Sequence, residues 1–164
     1  MCYVGPRTIL KMATSTSLVI GLVCLCVIVA ASDSVTEITT SNFDALVASD
    51  ERAWVIEFGS KFCGSCKEFA PTFHAMADKY SSLKFGVCFV DGSSGMDLAK
   101  QFGVLEVGLP ALVLFGSADG SFTVIPIEDV AAKDSIKSSL QKALKTASKR
   151  DGVYWKSVGK SKEL

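Results

Sequence analysis

Two cysteines three residues apart, Cys63 and Cys66, stand where a short apolar run meets a longer amphipathic one, and this juncture constrains the chain more than any other feature. Residues 54–58, Trp-Val-Ile-Glu-Phe, have the length and the branched and aromatic content of a strand. Residues 63–80 read as a long helix in which Pro71 removes one backbone donor and is expected to produce a kink. One helical turn between the two cysteines allows the Cα separation of about 4.4–6.8 Å that a disulfide requires. Unpaired N–H groups and the dipole at the helix start favour an anion there. The Cys63 thiol should therefore ionise more readily than a free thiol, whose pKa is about 8.5. Cys63 is the candidate nucleophile, and Cys66, one turn deeper, is the candidate resolving thiol held protonated until needed. The competing possibility is an inert structural disulfide.

Around this juncture, apolar runs alternate with amphipathic segments, as expected of an α/β domain with a mixed sheet flanked by helices. Strands are expected at residues 35–38, 54–58, 84–90, 111–115 and 122–125, the last two joined by the turn sequence Ser117-Ala118-Asp119-Gly120. Helices are expected from a cap at Thr40 or Ser41 to residue 47, over 63–80, over 97–102, and over 131–149. The last carries the stripe Ile136, Leu140 and Leu144. After Arg150 the apolar periodicity stops, and Gly152, Gly159 and several lysines suggest a mobile tail over residues 150–164. Tyr154 and Trp155, its only large side chains, are expected to pack back on the domain. With 164 residues there is room for one domain, here 34–149, plus short appendages. Seventeen Lys and Arg balance seventeen Asp and Glu, so no field of one sign points to nucleic acid.

The first 32 residues have the pattern of a cleaved signal peptide. Arg7 and Lys11 precede an uncharged apolar run over residues 18–30, which ends in Ala30-Ala31-Ser32. That run is shorter than the roughly 20 residues of a membrane span, so no stable span is expected after cleavage, with an uncleaved anchor as the alternative. Met12 begins a second serviceable leader, and both starts remain open. Cys2, Cys24 and Cys26 would leave with the leader, so Cys63, Cys66 and Cys88 remain. An odd number argues against a purely structural framework of paired disulfides. An oxidising compartment makes disulfide use of the pair more probable than metal binding. A structural zinc site needs four ligands, and beyond the pair only Cys88 and His74 are left. His74 lies three helical turns from Cys63 and reads as an ordinary helix residue, while Cys88 reads as a buried apolar filler. No metal and no cofactor is expected.

Several further motifs fall in register with the cysteine pair. They are Val35-Thr36-Glu37-Ile38, Asn42-Phe43-Asp44, Val55-Ile56-Glu57-Phe58, Cys63-Gly64-Ser65-Cys66-Lys67, Ala70-Pro71, Gly103-Val104 and Gly108-Leu109-Pro110. Together they resemble the catalytic domains of the protein disulfide isomerase family over residues 34–149. The resemblance implies a thioredoxin fold and thiol–disulfide exchange with cysteine-containing client proteins. It gives Glu57 the role of a buried carboxylate relaying the proton of the resolving cysteine. A solvent-facing Glu on an edge strand is the competing placement. A carboxylate inside so apolar a run should have a raised pKa. The resemblance also makes Pro110 a cis-proline beside the pair, with the Leu109 backbone pairing an extended client. Phe62 replaces the usual Trp, Gly64-Ser65 the usual Gly-His, and Phe89 the usual Lys near the carboxylate. Those departures imply a less oxidising pair and milder exchange than in a typical isomerase.

The chain ends Ser161-Lys162-Glu163-Leu164, similar to the tetrapeptides that retrieve soluble proteins to the endoplasmic reticulum, with Lys162 where an acidic residue is usual. The expectation is a monomeric luminal oxidoreductase with a redox recycling partner of unspecified identity. Two alternatives stand beside it: a chaperone-like binding module with a structural disulfide, and a thioredoxin-like reductant in another organelle.

Overall fold

The computed structural model describes residues 34–117 and 119–156. The expected leader over residues 1–32 and the Ser161-Lys162-Glu163-Leu164 ending lie outside the described residues. The elements follow the order β1 (Val35–Glu37), α1 (Thr40–Phe43, continued by a wider turn over Asp44–Ala48), β2 (Trp54–Gly59), α2 (Gly64–Lys79), β3 (Lys84–Phe89) and α3 (Ser93–Gln101). Then come a 3-10 turn over Val104–Glu106, β4 (Ala111–Phe115), β5 (Thr123–Pro126), α4 (Lys133–Ala143), β6 (Ser148–Arg150) and β7 (Val153–Trp155).

Five strands form one sheet in the order β1-β3-β2-β4-β5. β1 and β2 run parallel to β3, while β4 pairs antiparallel with both β2 and β5, which makes the sheet mixed. The two-residue period of the strands divides the core into two layers. Val55, Phe85, Leu112 and Leu114 pack with Phe69, Phe73 and Met76 of α2 and Ile136 and Leu140 of α4. Trp54, Ile56, Phe58, Val113 and Phe115 turn the other way, toward Phe43 and Val47 of the first helical segment and Leu98 and Phe102 around α3. Every residue of β2 is buried, because β2 lies in the middle of the sheet with helices over both faces.

Several boundaries differ from those expected, most of the strands by a single residue. The cap of α1 is Thr39, whose backbone N–H donates to Asn42 Oδ1 at 2.8 Å. α3 starts at Ser93, four residues before the apolar periodicity at Asp97, because its first turn packs against the end of β3 through Gly95 instead of an apolar side chain. The last helix spans only Lys133–Ala143 plus a 3-10 turn over Leu144–Thr146, and the domain boundary expected at Lys149 falls inside a strand.

β6 and β7 form an antiparallel hairpin whose two-residue turn, Asp151-Gly152, has both residues at positive φ (51° and 81°). That is the backbone an Asp-Gly pair favours between twisted strands. The hairpin closes the end of the sheet where β2 and β3 begin. The Ala53 N–H donates to Tyr154 O at 2.9 Å, and the Tyr154 N–H donates to Ser82 O at 3.0 Å. The Tyr154 ring joins the α2/α4 layer of the core. Tyr154→Ala should therefore lower folding stability by about 2 kcal/mol in denaturant titrations, the scale of a large, partly buried aromatic contact. A change under about 0.5 kcal/mol would mean that the Tyr154 ring adds nothing to the core.

Candidate active site

The cysteine pair stands at the C-terminal end of β2, where a tight loop reverses the chain into α2. The loop is held from a distant part of the sequence. The Asp91 carboxylate, just past β3, accepts from the Ser60 hydroxyl at 2.6 Å and from the Lys61 N–H at 2.8 Å. The Phe62 N–H donates to Ser60 Oγ at 3.1 Å, and the Val90 N–H donates to Gly59 O at 2.9 Å. The Lys61 backbone N–H, followed by the Ser60 hydroxyl, lowers the Asp91 pKa, so the clamp stays ionised at neutral pH. Neither Ser60 nor Asp91 was among the candidates found in the sequence. Phe62, directly before Cys63, is 88% exposed.

Cys63 is the N-cap of α2, with extended backbone, and its sulfur accepts from the Cys66 N–H at 3.1 Å. The sulfur thus occupies the place of a capping oxygen, where donors at the start of a helix favour negative charge. Cys63 and Cys66 are joined as a disulfide with a Cα separation of 5.2 Å. Cys66 is 5% exposed and Cys63 half-buried, so an incoming group meets Cys63 first. Gly64 is exposed, and a Cβ there would meet nothing within 4 Å.

The loop before β4 faces this pair. The Leu109–Pro110 peptide bond is cis, and Leu109 O lies 3.9 Å from Cys63 Sγ. The Ser65 hydroxyl lies 3.2 Å from Cys63 Sγ and donates to Leu109 O at 3.4 Å. Cys63, Ser65, Leu109 and Pro110 therefore share one small surface, although 44 to 47 positions separate the two halves in sequence.

Glu57 lies beneath that surface and is 4% exposed. Its position on the central strand rules out the solvent-facing edge placement. Burial pushes its pKa from an ordinary 4.5 up to about 7, and no ion pair reaches it among the described residues. A Cβ on Gly59 would stand 3.4 Å from Glu57 Oε1 and 3.7 Å from Cys66 Sγ, so the missing side chain of Gly59 leaves the carboxylate and the inner sulfur on two sides of one small space. Phe89, opposite Gly59 in the sheet, is covered by the Lys61 ammonium 4.7 Å above its ring. Two other sequence candidates lie outside the site. His74 is exposed on α2. Cys88 is fully buried, and burial followed by the charge of Glu37 pushes its thiol up to about 11.

The fold and the site define a class: a thioredoxin-fold domain with a helix-capping Cys-x-x-Cys pair facing a cis-proline loop. The comparisons with known proteins agree. The Thioredoxin family model matches residues 34–142. The chain belongs to the thioredoxin family, and it is similar to parts of several protein disulfide isomerases. A protein disulfide-isomerase A6 homolog of Drosophila melanogaster is 38% identical over 87 residues, which cover 52% of this chain and 19% of that protein. Protein disulfide-isomerase like 2-2 of Arabidopsis thaliana is 31% identical over 103 residues, covering 62% and 22% respectively. The chain thus spans about a fifth of the length of these relatives. The crystal structure of the Trx4 domain of ERdj5 superposes with a TM-score of 0.56 at 20% identity, over 70% of this chain and 98% of that one, and so shares the fold.

Proposed function

We propose that the chain is a thiol–disulfide oxidoreductase acting on cysteine-containing client proteins in the lumen of the endoplasmic reticulum. The observation that carries this is a half-buried Cys63 at a helix start, a buried Cys66 bonded to it, and a buried Glu57, its pKa pushed up to about 7, that shares with the Cys66 sulfur the small space left by Gly59. In the reduced form the Cys63 thiolate attacks a client disulfide. A Cys63–client S–S bond forms and one client thiolate leaves. Glu57 takes the proton of the Cys66 thiol, and the Cys66 thiolate attacks the Cys63 sulfur, releasing the second client thiolate. The client gains two electrons and takes up two protons, and the Cys63–Cys66 disulfide is regenerated. A dithiol or small-thiol recycling partner returns the pair to its reduced form, and the same steps in reverse introduce disulfides. An extended client is held by its backbone against Leu109, which makes binding largely tolerant of sequence.

The compartment is supported by the leader pattern of residues 1–32, the Ser161-Lys162-Glu163-Leu164 ending and the protein disulfide-isomerase relatives. Cys66→Ala removes the resolving step, so it should accumulate mixed disulfides with luminal proteins that are released by reductant and absent from Cys63→Ala. Recovery of no such adduct from Cys66→Ala, in a preparation that folds, would sink the proposed oxidoreductase.

A further inference from the structure

The Ser65 hydroxyl has one proton and two acceptors within reach: Cys63 Sγ at 3.2 Å and Leu109 O at 3.4 Å. Which of them receives it depends on the charge of the sulfur. A disulfide sulfur is neutral and a weak acceptor, so in the oxidised pair the carbonyl wins the proton. A thiolate carries a full charge, and charge-assisted hydrogen bonds are roughly twice as strong as neutral ones, so in the reduced pair the sulfur wins it.

We infer that Ser65 couples the redox state of the pair to client binding, covering the Leu109 carbonyl when the pair is oxidised and uncovering it when Cys63 is a thiolate. This rests on the proposed pairing of a client backbone with Leu109. The reduced enzyme offers a free acceptor to the N–H of an extended client. Once the client has been reduced and the Cys63–Cys66 bond has formed, the hydroxyl turns back to the carbonyl and competes with the departing chain. Apart from Ser65, only the Cys63 sulfur is placed to donate to Leu109 O among the described residues, at 3.9 Å, and a thiolate has no proton to give. The uncovering therefore requires the thiolate and not merely the reduced thiol, which adds a pH dependence.

The direct readout is the carbonyl carbon resonance of Leu109, compared between the oxidised and the dithiothreitol-reduced protein across pH. In the wild type it should move on reduction only above the pH at which Cys63 ionises. It should not move with that dependence in Ser65→Ala, and Ser65→Thr should restore the movement. The Cys63 thiolate fraction, followed by its ultraviolet absorbance, should fall about tenfold in Ser65→Ala at pH values below the ionisation midpoint, for one lost charge-assisted bond. A short extended peptide carrying Ser in place of Cys should bind the reduced wild type several-fold more tightly than the oxidised form, a preference absent from Ser65→Ala. A Leu109 resonance indifferent to Ser65, or a peptide that binds both redox forms equally or neither, overturns the coupling. If Cys66→Ala still traps clients while these readouts ignore Ser65, the coupling fails and the oxidoreductase stands. If no client is trapped, the oxidoreductase itself fails.

Discussion

Glu57→Gln should uncouple two properties that the wild type holds in opposition, folding stability at neutral pH and rapid resolution of the mixed disulfide. The folded protein keeps a proton on Glu57 up to about pH 7, whereas the unfolded chain releases it near 4.5. Between those values the folded state binds more protons, so the Glu57 contribution is most favourable below about pH 4.5. It declines as pH rises through the window and is fully lost above about 7. The difference corresponds to about 3 kcal/mol. Denaturant titrations from pH 4.5 to 8 should show Glu57→Gln gaining about that much relative to the wild type as pH rises. In the same variant Cys66 has no carboxylate to take its proton, and resolution should slow by about 10²-fold, the lower range for a positioned general base. Stopped-flow decay of a preformed Cys63–peptide disulfide measures this. Equal decay rates in the two proteins would remove Glu57 from the mechanism, and parallel stability curves would remove its raised pKa.

The tension around Glu57 also marks how far the sequence could be read. β2, α2 and β4 are evident from local pattern alone, because an apolar run or a long apolar stripe has few other ways to be buried. The burial of Glu57 is not local. Its run would suit an edge as well as a centre, and only the strand order β1-β3-β2-β4-β5 places helices over both faces. The cis form of Pro110 rested on family resemblance, since the dipeptide itself favours trans. The clamp of Asp91 on Ser60 and Lys61 spans 31 positions between two short polar segments with no signature of their own. The hairpin at Asp151-Gly152 went unread: residues 150–156, expected within a mobile tail, carry the end of β6 and all of β7. Asp-Gly before Val153-Tyr154-Trp155 is a strong turn signal, and the lysines around it obscured it by resembling a solvated tail.

Gly95→Ala should cost about 3 kcal/mol or more, beyond what a surface helix position loses to any side chain. Gly95 is buried in the first turn of α3, and a Cβ there would lie 1.9 Å from Phe89 O and 2.7 Å from Phe89 C. Both are backbone atoms at the end of β3 and have no rotamer to escape into, so helix and strand must separate. Gly64→Ala is the control. Its added methyl meets nothing within 4 Å, and its stability should change by less than about 1 kcal/mol. The consequence of the Gly95 substitution reaches the site, because the strand end it displaces carries both holds on the Cys63 loop: the Val90 N–H on Gly59 O and the Asp91 carboxylate on Ser60 and Lys61. Any Gly95→Ala protein that still folds should exchange the Lys61 amide hydrogen faster than the wild type and attack a client disulfide more slowly. Ser60→Ala, which breaks the clamp without moving α3, should reproduce the slower attack with much less loss of stability. Slow attack in Gly95→Ala alone would assign the effect to the helix, whereas slow attack in both would assign it to the loop that presents Cys63.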